Sequence, residues 1–221
     1  GVIGGLGEKT TSLGLNRGTQ AVRQTGSSMK PLAVVAPGID SGKITAASVY
    51  DDVPYKNYKD YNYFKGLLTI RYAIESSQNI PMLKAIQTVG VENSLKFLKT
   101  LGFSHLDDEK DNNIGIALGG LTHGATPLEM AAAYGAIAND GVYIEPTFYT
   151  KVVDGNGNTV LEPKQESRTV MSASAAYVVK EVLTQPVKSG TSTTLAMSGM
   201  SVAAKTGTTN DDFDRWMCGF T

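Results

Sequence analysis

The sequence predicts an α/β fold of the α+β type, with helices in the middle of the chain and strands towards both ends. The chain has 221 residues, 41% of them hydrophobic and 19% charged. That is enough to bury a full core in one large domain or in two interlocked subdomains. Helix signals dominate residues 69–138, whereas alternating apolar residues mark residues 147–162 as strands. No internal repeat or low-complexity segment interrupts this order.

The individual elements follow from capping and turn residues. We expect a first strand at residues 1–5 and a helix at residues 27–37, in which Pro31 is tolerable only in the first turn. Further helices are predicted at residues 69–76, from residue 80, at 92–101, from the capping box at 126–129 to residue 138, and from Ser172 to about Leu183. Further strands are predicted as a hairpin at 147–162 that turns at 154–157, and at 200–208 and 215–221.

The composition argues against several classes of function. The formal net charge is −1, from 20 basic and 21 acidic residues, and no basic cluster indicates binding to nucleic acid. Cys218 is the only cysteine, and His105 and His123 lie in separate segments. We therefore expect no intrachain disulfide, no structural zinc and no cofactor. The longest apolar runs are too short for a membrane span.

Residues 50–66 interleave aromatic and basic side chains. They are Tyr50, Tyr55, Tyr58, Tyr61, Tyr63 and Phe64, with Lys56, Lys59 and Lys65. This pattern is compatible with stacking on a glycan or a single-stranded nucleic acid. Because Asp51, Asp52 and Asp60 interrupt the basic track, we favour an irregular loop anchored by aromatic rings.

A first short motif, Ser-x-x-Lys, occupies residues 27–30. On a helix, residues three apart share a face, so Lys30 can reach the hydroxyl of Ser27. A serine hydroxyl needs a neighbouring base to become a good nucleophile. A lysine can be that base if burial and nearby positive charge lower its pKa. Alone, the motif is weak, because Ser and Lys are common on helix surfaces.

A second motif, Ser-x-Asn, occupies residues 77–79. Ser77 could relay a proton between Lys30 and a leaving group, and the Asn79 amide could hydrogen-bond a peptide carbonyl or Lys30. The alternative is an ordinary turn, since Ser and Asn favour turns.

A third motif, Lys-Thr-Gly-Thr, occupies residues 205–208 and follows small apolar residues suited to a buried strand. Gly207 lets a substrate backbone approach closely. The hydroxyls of Thr206 and Thr208 can bind a carboxylate, and Lys205 adds positive charge. Residues 188–191, Lys-Ser-Gly-Thr, are a rival. They follow a predicted helix without an apolar strand, so we interpret them as a loop.

In this chain order the three motifs resemble the signature Ser-x-x-Lys, Ser-Asp-Asn and Lys-Thr-Gly of penicillin-binding proteins and class A β-lactamases. The sequence resembles the transpeptidase domain of class A (bifunctional) penicillin-binding proteins. The resemblance covers nearly the whole chain and is strongest at residues 16–31, 69–81, 117–122, 126–131 and 205–211.

The resemblance implies a penicillin-binding/serine β-lactamase-like fold, a mostly antiparallel sheet flanked by helices. A helical subdomain at roughly residues 40–145 would join a sheet subdomain from residues 1–26 and 146–221. It also implies a membrane anchor and a glycosyltransferase domain upstream, a further strand and terminal helix after Thr221, and a location on the extracytoplasmic face of the bacterial membrane.

The implied activity is peptidoglycan cross-linking. Ser27 would attack the carbonyl between two terminal D-alanines, and an amine of a second stem peptide would accept the acyl group. The backbone N–H groups of Ser27 and Thr208 would form the oxyanion hole. β-Lactams would acylate the same serine.

Four alternatives share part of the pattern. A D,D-carboxypeptidase differs only in using water as the acceptor, and a β-lactam sensor uses the same acylation to signal. A β-lactamase is disfavoured because neither Glu92 nor Glu129 begins a Glu-x-x-Leu-Asn segment. A Ser-His-Asp hydrolase is disfavoured because neither histidine lies in a matching motif.

Overall fold

The computed structural model describes residues 2–8, 10–58, 60 and 63–221. Gly1 of the predicted first strand, and Lys59 and Tyr61 of the aromatic segment, lie outside this range. Residues 2–5, which the structure describes, form no strand, so that prediction is wrong there. Val2 and Ile3 are exposed, so no buried face stabilises an extended conformation.

The predicted helix after Gly26 is present but is not a regular α-helix. It begins as a 3-10 turn at Gly26–Met29, continues as a π-helical segment at Pro31–Val35, and ends as α1 at Ala36–Asp40. Pro31 therefore lies inside the helical run rather than in its first turn, which corrects the prediction. The 3-10 turn satisfies the Ser27 carbonyl with the Lys30 N–H, so the carbonyl that the proline ring would leave without a donor is already paired.

Among the residues that the structure describes, five further α-helices follow α1. They are α2 at Ile70–Glu75, α3 at Ile80–Val89, α4 at Val91–Thr100, α5 at Pro127–Ala138 and α6 at Ala173–Lys188. The capping residues named from the sequence act as predicted: Thr126 and Glu129 form a reciprocal capping box, and the Ser172 side chain accepts from the Ala175 N–H. Helix α6 continues to Lys188, beyond the predicted end at Leu183, because its apolar face continues through buried Pro186 and Val187.

Within the described residues, the strands form four two-stranded antiparallel sheets. The pairs are β1 (Val49–Asp52) with β2 (Gly66–Thr69), β3 (Val142–Ile144) with β6 (Ser167–Thr169), β4 (Val152–Val153) with β5 (Thr159–Leu161), and β7 (Ala203–Thr208) with β8 (Arg215–Phe220). The predicted hairpin is confirmed, and Asp154 Oδ1 fixes its turn by accepting the N–H groups of Asn156 and Asn158.

The core surrounds the helical run at residues 26–40. Met29 and residues 32–36 are fully buried there, with α3 and α4 packed against the π-helical segment. Helix α6 packs on both α2 and β7. The helical run, the C-terminal end of α2 and strand β7 are therefore held against one another, and these are the three elements that carry the three motifs.

Candidate active site

Three glycines allow the elements around Ser27 to approach closely. Gly26 has φ +54°, and a Cβ there would lie 2.6 Å from the Thr208 carbonyl oxygen. A Cβ on Gly207 would meet the Ser28 nitrogen at 2.9 Å, and one on Gly119 would overlap the Gly26 backbone. Strand β7 thus lies directly against the turn that presents Ser27, and side chains at these positions would push the two apart.

The turn before Ser27 is fixed by distant side chains. Trp216 Nε1 donates to the Gln24 carbonyl at 2.8 Å, and the Gln24 side chain exchanges hydrogen bonds with the Leu121 backbone. The Tyr134 hydroxyl donates to the Ser28 carbonyl at 2.8 Å. These contacts join Ser27 to β8 and α5, and sequence spacing gave no sign of them.

Lys30 is fully buried and faces the second motif. Its Nζ donates to Asn79 Oδ1 at 2.7 Å and to the Ser77 carbonyl at 2.6 Å, and lies 3.4 Å from Ser77 Oγ. Burial, followed by the positive charge of Lys205, lowers the pKa of Lys30 well below its ordinary value, while Asp60 opposes that shift. The neutral amine, the form that can accept a proton, is therefore favoured more at Lys30 than at an exposed lysine.

Lys205 approaches Ser77 from the other side. It is fully buried in β7, and its Nζ donates to Ser77 Oγ at 2.7 Å and to the Thr206 carbonyl at 3.0 Å. Burial lowers the pKa of Lys205 to about 7. The Ser77 hydroxyl is therefore placed between two lysine amines, each of which favours the neutral form more than an exposed lysine does.

Ser77 has an unusual backbone conformation. It follows the C-cap of α2 with φ +58°, and its N–H donates to Ile74 while the N–H of Gln78 donates to Ala73. This is the Schellman ending of a helix, which normally has glycine at the left-handed position. A serine there costs backbone strain.

Two aspartates, the half-buried Asp60 and the buried Asp52, lie near the second motif. Asp60 Oδ1 accepts the Asn79 N–H, and Asp52 Oδ2 accepts the Lys65 N–H at 2.9 Å. Burial and a hydrogen bond with Asp60 raise the pKa of Asp52 to about 6. In the sequence, both residues only interrupt a basic track, because Asp60 and Asn79 are 19 residues apart.

The direction of the Thr208 N–H at the edge of β7 follows from the pairing of β7 with β8. The Thr209 N–H donates to the Asp214 carbonyl at 3.1 Å, and Thr208 is paired in register with Arg215. Hydrogen-bonded and non-hydrogen-bonded pairs alternate in an antiparallel ladder. The Thr208 N–H therefore points away from β8, towards the turn that carries Ser27.

The remaining candidates lie elsewhere. Lys188 is exposed at the end of α6, so the rival motif does not bring its lysine to Ser77. His105 Nδ1 is 3.1 Å from Glu129 Oε1, beside the capping box of α5, and His123 is exposed. Among the residues described, no cluster of three or more His, Cys, Asp or Glu side chains could hold a metal ion. In the same part of the chain, no helix combines the length and hydrophobicity needed to span a membrane.

Comparison with known proteins places this geometry in a family. A family model described as the penicillin-binding protein transpeptidase domain matches residues 8–213. The chain belongs to this family. It is 35% identical over 237 residues to penicillin-binding protein 1A of Clostridium botulinum strain Hall, covering 100% of this chain and 28% of that protein. It is 36% identical over 226 residues to penicillin-binding protein 1F of Bacillus subtilis, covering 97% and 31%. The chain thus spans under a third of these relatives.

Solved structures of penicillin-binding proteins are similar in fold to this chain. Penicillin-binding protein 1A from Haemophilus influenzae superimposes with a TM-score of 0.80 at 26% identity, covering 93% of this chain and 37% of that one. The D,D-transpeptidase domain of a peptidoglycan glycosyltransferase from Eggerthella lenta gives 0.79 at 24% identity, covering 93% and 58%. The predicted fold class and the resemblance to class A penicillin-binding proteins are both confirmed: the chain is a penicillin-binding transpeptidase domain.

Proposed function

We propose that this domain is a D,D-transpeptidase that cross-links peptidoglycan stem peptides through an acyl-enzyme on Ser27. The observation that carries the proposal is the position of the Ser77 hydroxyl, between Nζ of Lys30 and Nζ of Lys205. Two buried amines and one hydroxyl form a short route along which a proton can move. The names of the relatives support the same activity.

In the acylation step, neutral Lys30 takes the proton of the Ser27 hydroxyl as Oγ bonds to the carbonyl carbon between the two terminal D-alanines. The oxyanion that forms accepts from the N–H groups of Ser27 and Thr208, donors that typically contribute about 3–4 kcal/mol each. The C–N bond then breaks. The leaving D-alanine nitrogen receives a proton through Ser77, and Lys30 returns to its neutral form.

In the deacylation step, the amine of a neighbouring stem peptide attacks the ester of Ser27. The new amide bond forms, the ester bond breaks, and the proton lost by the amine returns to Ser27 Oγ by the reverse route. Lys205, Thr206 and Thr208 would bind the carboxylate of the donor peptide, with Gly207 leaving room for its backbone. Asn79 would orient Lys30 or a peptide carbonyl of the substrate.

The relatives support a proposal for the cellular setting. We infer an extracytoplasmic location at the bacterial membrane, a glycosyltransferase domain in the same protein, and inhibition by β-lactams that acylate Ser27.

The test is turnover of a thioester that mimics the D-alanyl-D-alanine end, with and without a D-amino acid as the acceptor amine. The proposal predicts an aminolysis product that grows with acceptor concentration and is absent in Ser27→Ala. Hydrolysis alone at every acceptor concentration would assign a D,D-carboxypeptidase. A single stoichiometric acylation without turnover would assign a β-lactam sensor.

A further inference from the structure

The rival motif at residues 188–191 contributes to the structure through residues other than its lysine. Residues 189–192 are attached to the C-terminal end of α2. The Thr191 N–H donates to the Glu75 carbonyl at 3.3 Å, and Ser189 Oγ donates to Glu75 Oε1 at 2.8 Å. Gly190 fits between the two helices, where a Cβ would lie 2.8 Å from Pro186 Cα. Because Glu75 precedes Ser77 by two residues, this segment is fixed relative to the second motif.

Thr191 also touches the third motif. The Thr206 hydroxyl donates to Thr191 Oγ1 at 3.1 Å. Thr191 is exposed and Thr206 is partly exposed, so the two hydroxyls form a pair that solvent or a ligand can reach. The pair lies next to Lys205, whose Nζ contacts the Thr206 carbonyl.

Hydroxyl hydrogens rotate to suit their partners. When an anion binds beside Thr206, the Thr206 hydroxyl turns to donate to it, and the Thr191 hydroxyl can then donate to Thr206 Oγ1. A chain of two hydrogen bonds that ends on a carboxylate is polarised along its length and is stronger than two separate bonds.

We propose that Thr191 is a positioning residue for the substrate carboxylate, acting through the hydroxyl of Thr206. The inference rests on the proposed function and deepens it. It assigns to the segment after α6 a part in selecting donor peptides and β-lactams that carry a free carboxylate.

The experiment compares acylation of Ser27 by benzylpenicillin and by its methyl ester, followed by intact mass. Thr191→Val keeps the shape and removes the hydroxyl. Thr191→Ser restores the hydroxyl. Thr194→Val is a matched control, because Thr194 is exposed in the same segment. Thermal melting of each variant reports whether the fold is preserved.

Loss of the hydrogen bond between the Thr191 and Thr206 hydroxyls should lower the rate of acylation by benzylpenicillin about five- to tenfold in Thr191→Val. The same variant should lose less than about twofold with the methyl ester, since the ester lacks the anion. Thr191→Ser should recover the wild-type preference, and Thr194→Val should not change it.

Equal losses with the acid and the ester in Thr191→Val would overturn the inference, because a merely structural role affects both compounds alike. A wild-type preference that survives in Thr191→Val would overturn it as well. If the wild-type protein forms no adduct with either compound, the proposed function itself fails, and this inference fails with it. Reaction of the wild type therefore separates the two.

Discussion

Two segments of this chain share the pattern Lys-[Ser/Thr]-Gly-Thr, and the fold gives their lysines opposite surroundings. Lys188 ends α6 and is exposed, whereas Lys205 is fully buried within β7 and donates to Ser77 Oγ at 2.7 Å. The glycines differ too. Gly190 packs between α6 and α2, whereas Gly207 packs against the turn of Ser27. The chemistry of such a motif therefore depends on the secondary-structure element that carries it, and not on its sequence alone.

The largest expected effect is a difference in acylation rate between variants of the two lysines. Lys205→Ala should slow acylation of Ser27 by β-lactam about 10²–10⁴-fold, the usual loss when a group that moves a proton is removed. Lys188→Ala should change the rate less than about twofold, because an exposed side chain remote from the chemistry contributes little. Time-resolved intact mass with one penicillin measures both. The reverse ranking would mean that the wrong segment has been assigned as the third motif.

A second effect concerns the pH dependence of stability. Burial lowers the pKa of Lys205 to about 7, from roughly 10.4 in an unfolded chain. Between these values the unfolded state binds more protons than the folded state, so the free energy of unfolding increases with pH. Denaturant titrations at about pH 7 and about pH 9 should show this increase. The increase should be smaller in Lys205→Met, with Lys30 supplying the remainder.

Lys188→Met is the control for this measurement and should keep the wild-type increase. A Lys205→Met protein with the full increase would show that Lys205 is charged in the folded state near neutral pH, contrary to the account.

A third effect concerns Ser77, which accepts a hydrogen bond from Lys205. Ser77 has φ +58° at the end of α2, a left-handed conformation that costs a non-glycine residue about 1–2 kcal/mol. Ser77→Gly should therefore raise the free energy of unfolding by about that amount while slowing acylation. Ser76→Gly, one residue earlier at φ −93°, should not stabilise the fold. Loss of stability in Ser77→Gly would show that the Ser77 hydroxyl stabilises the fold more than its backbone conformation strains it.

The smallest effect involves Asp60, which accepts the Asn79 N–H and whose charge raises the pKa of Lys30. Asp60→Asn can keep the acceptor oxygen but removes the charge. The acidic limb of the acylation rate profile should move to lower pH, since Lys30 then loses its proton more readily. An unmoved limb, or one that moves to higher pH, would contradict an electrostatic influence of Asp60 on Lys30.

The sequence was most informative where structure is local. Thr126 and Ser172 cap helices as predicted because a cap needs only its own next three residues. The three motifs were also visible as short patterns. What remained hidden depends on contacts between distant parts of the chain: Lys205 and Ser77 are 128 residues apart, and Gln24 and Leu121 are 97 apart. No periodicity reveals such pairs.

Other misses have specific causes. The π-helical segment at Pro31–Val35 accommodates a proline that propensity alone would place in a first turn. The division into subdomains at residues 26, 40 and 145 stays a prediction, as do the catalytic roles of the motif residues.

Intact-mass analysis of the penicillin-treated chain tests the central claim most directly, with Ser27→Ala, Lys205→Ala and Lys188→Ala treated in parallel. The account predicts a persistent one-to-one adduct in the wild type and in Lys188→Ala, no adduct in Ser27→Ala, and slow formation in Lys205→Ala. An adduct of undiminished yield in Ser27→Ala would contradict it, because the nucleophile would then be another residue.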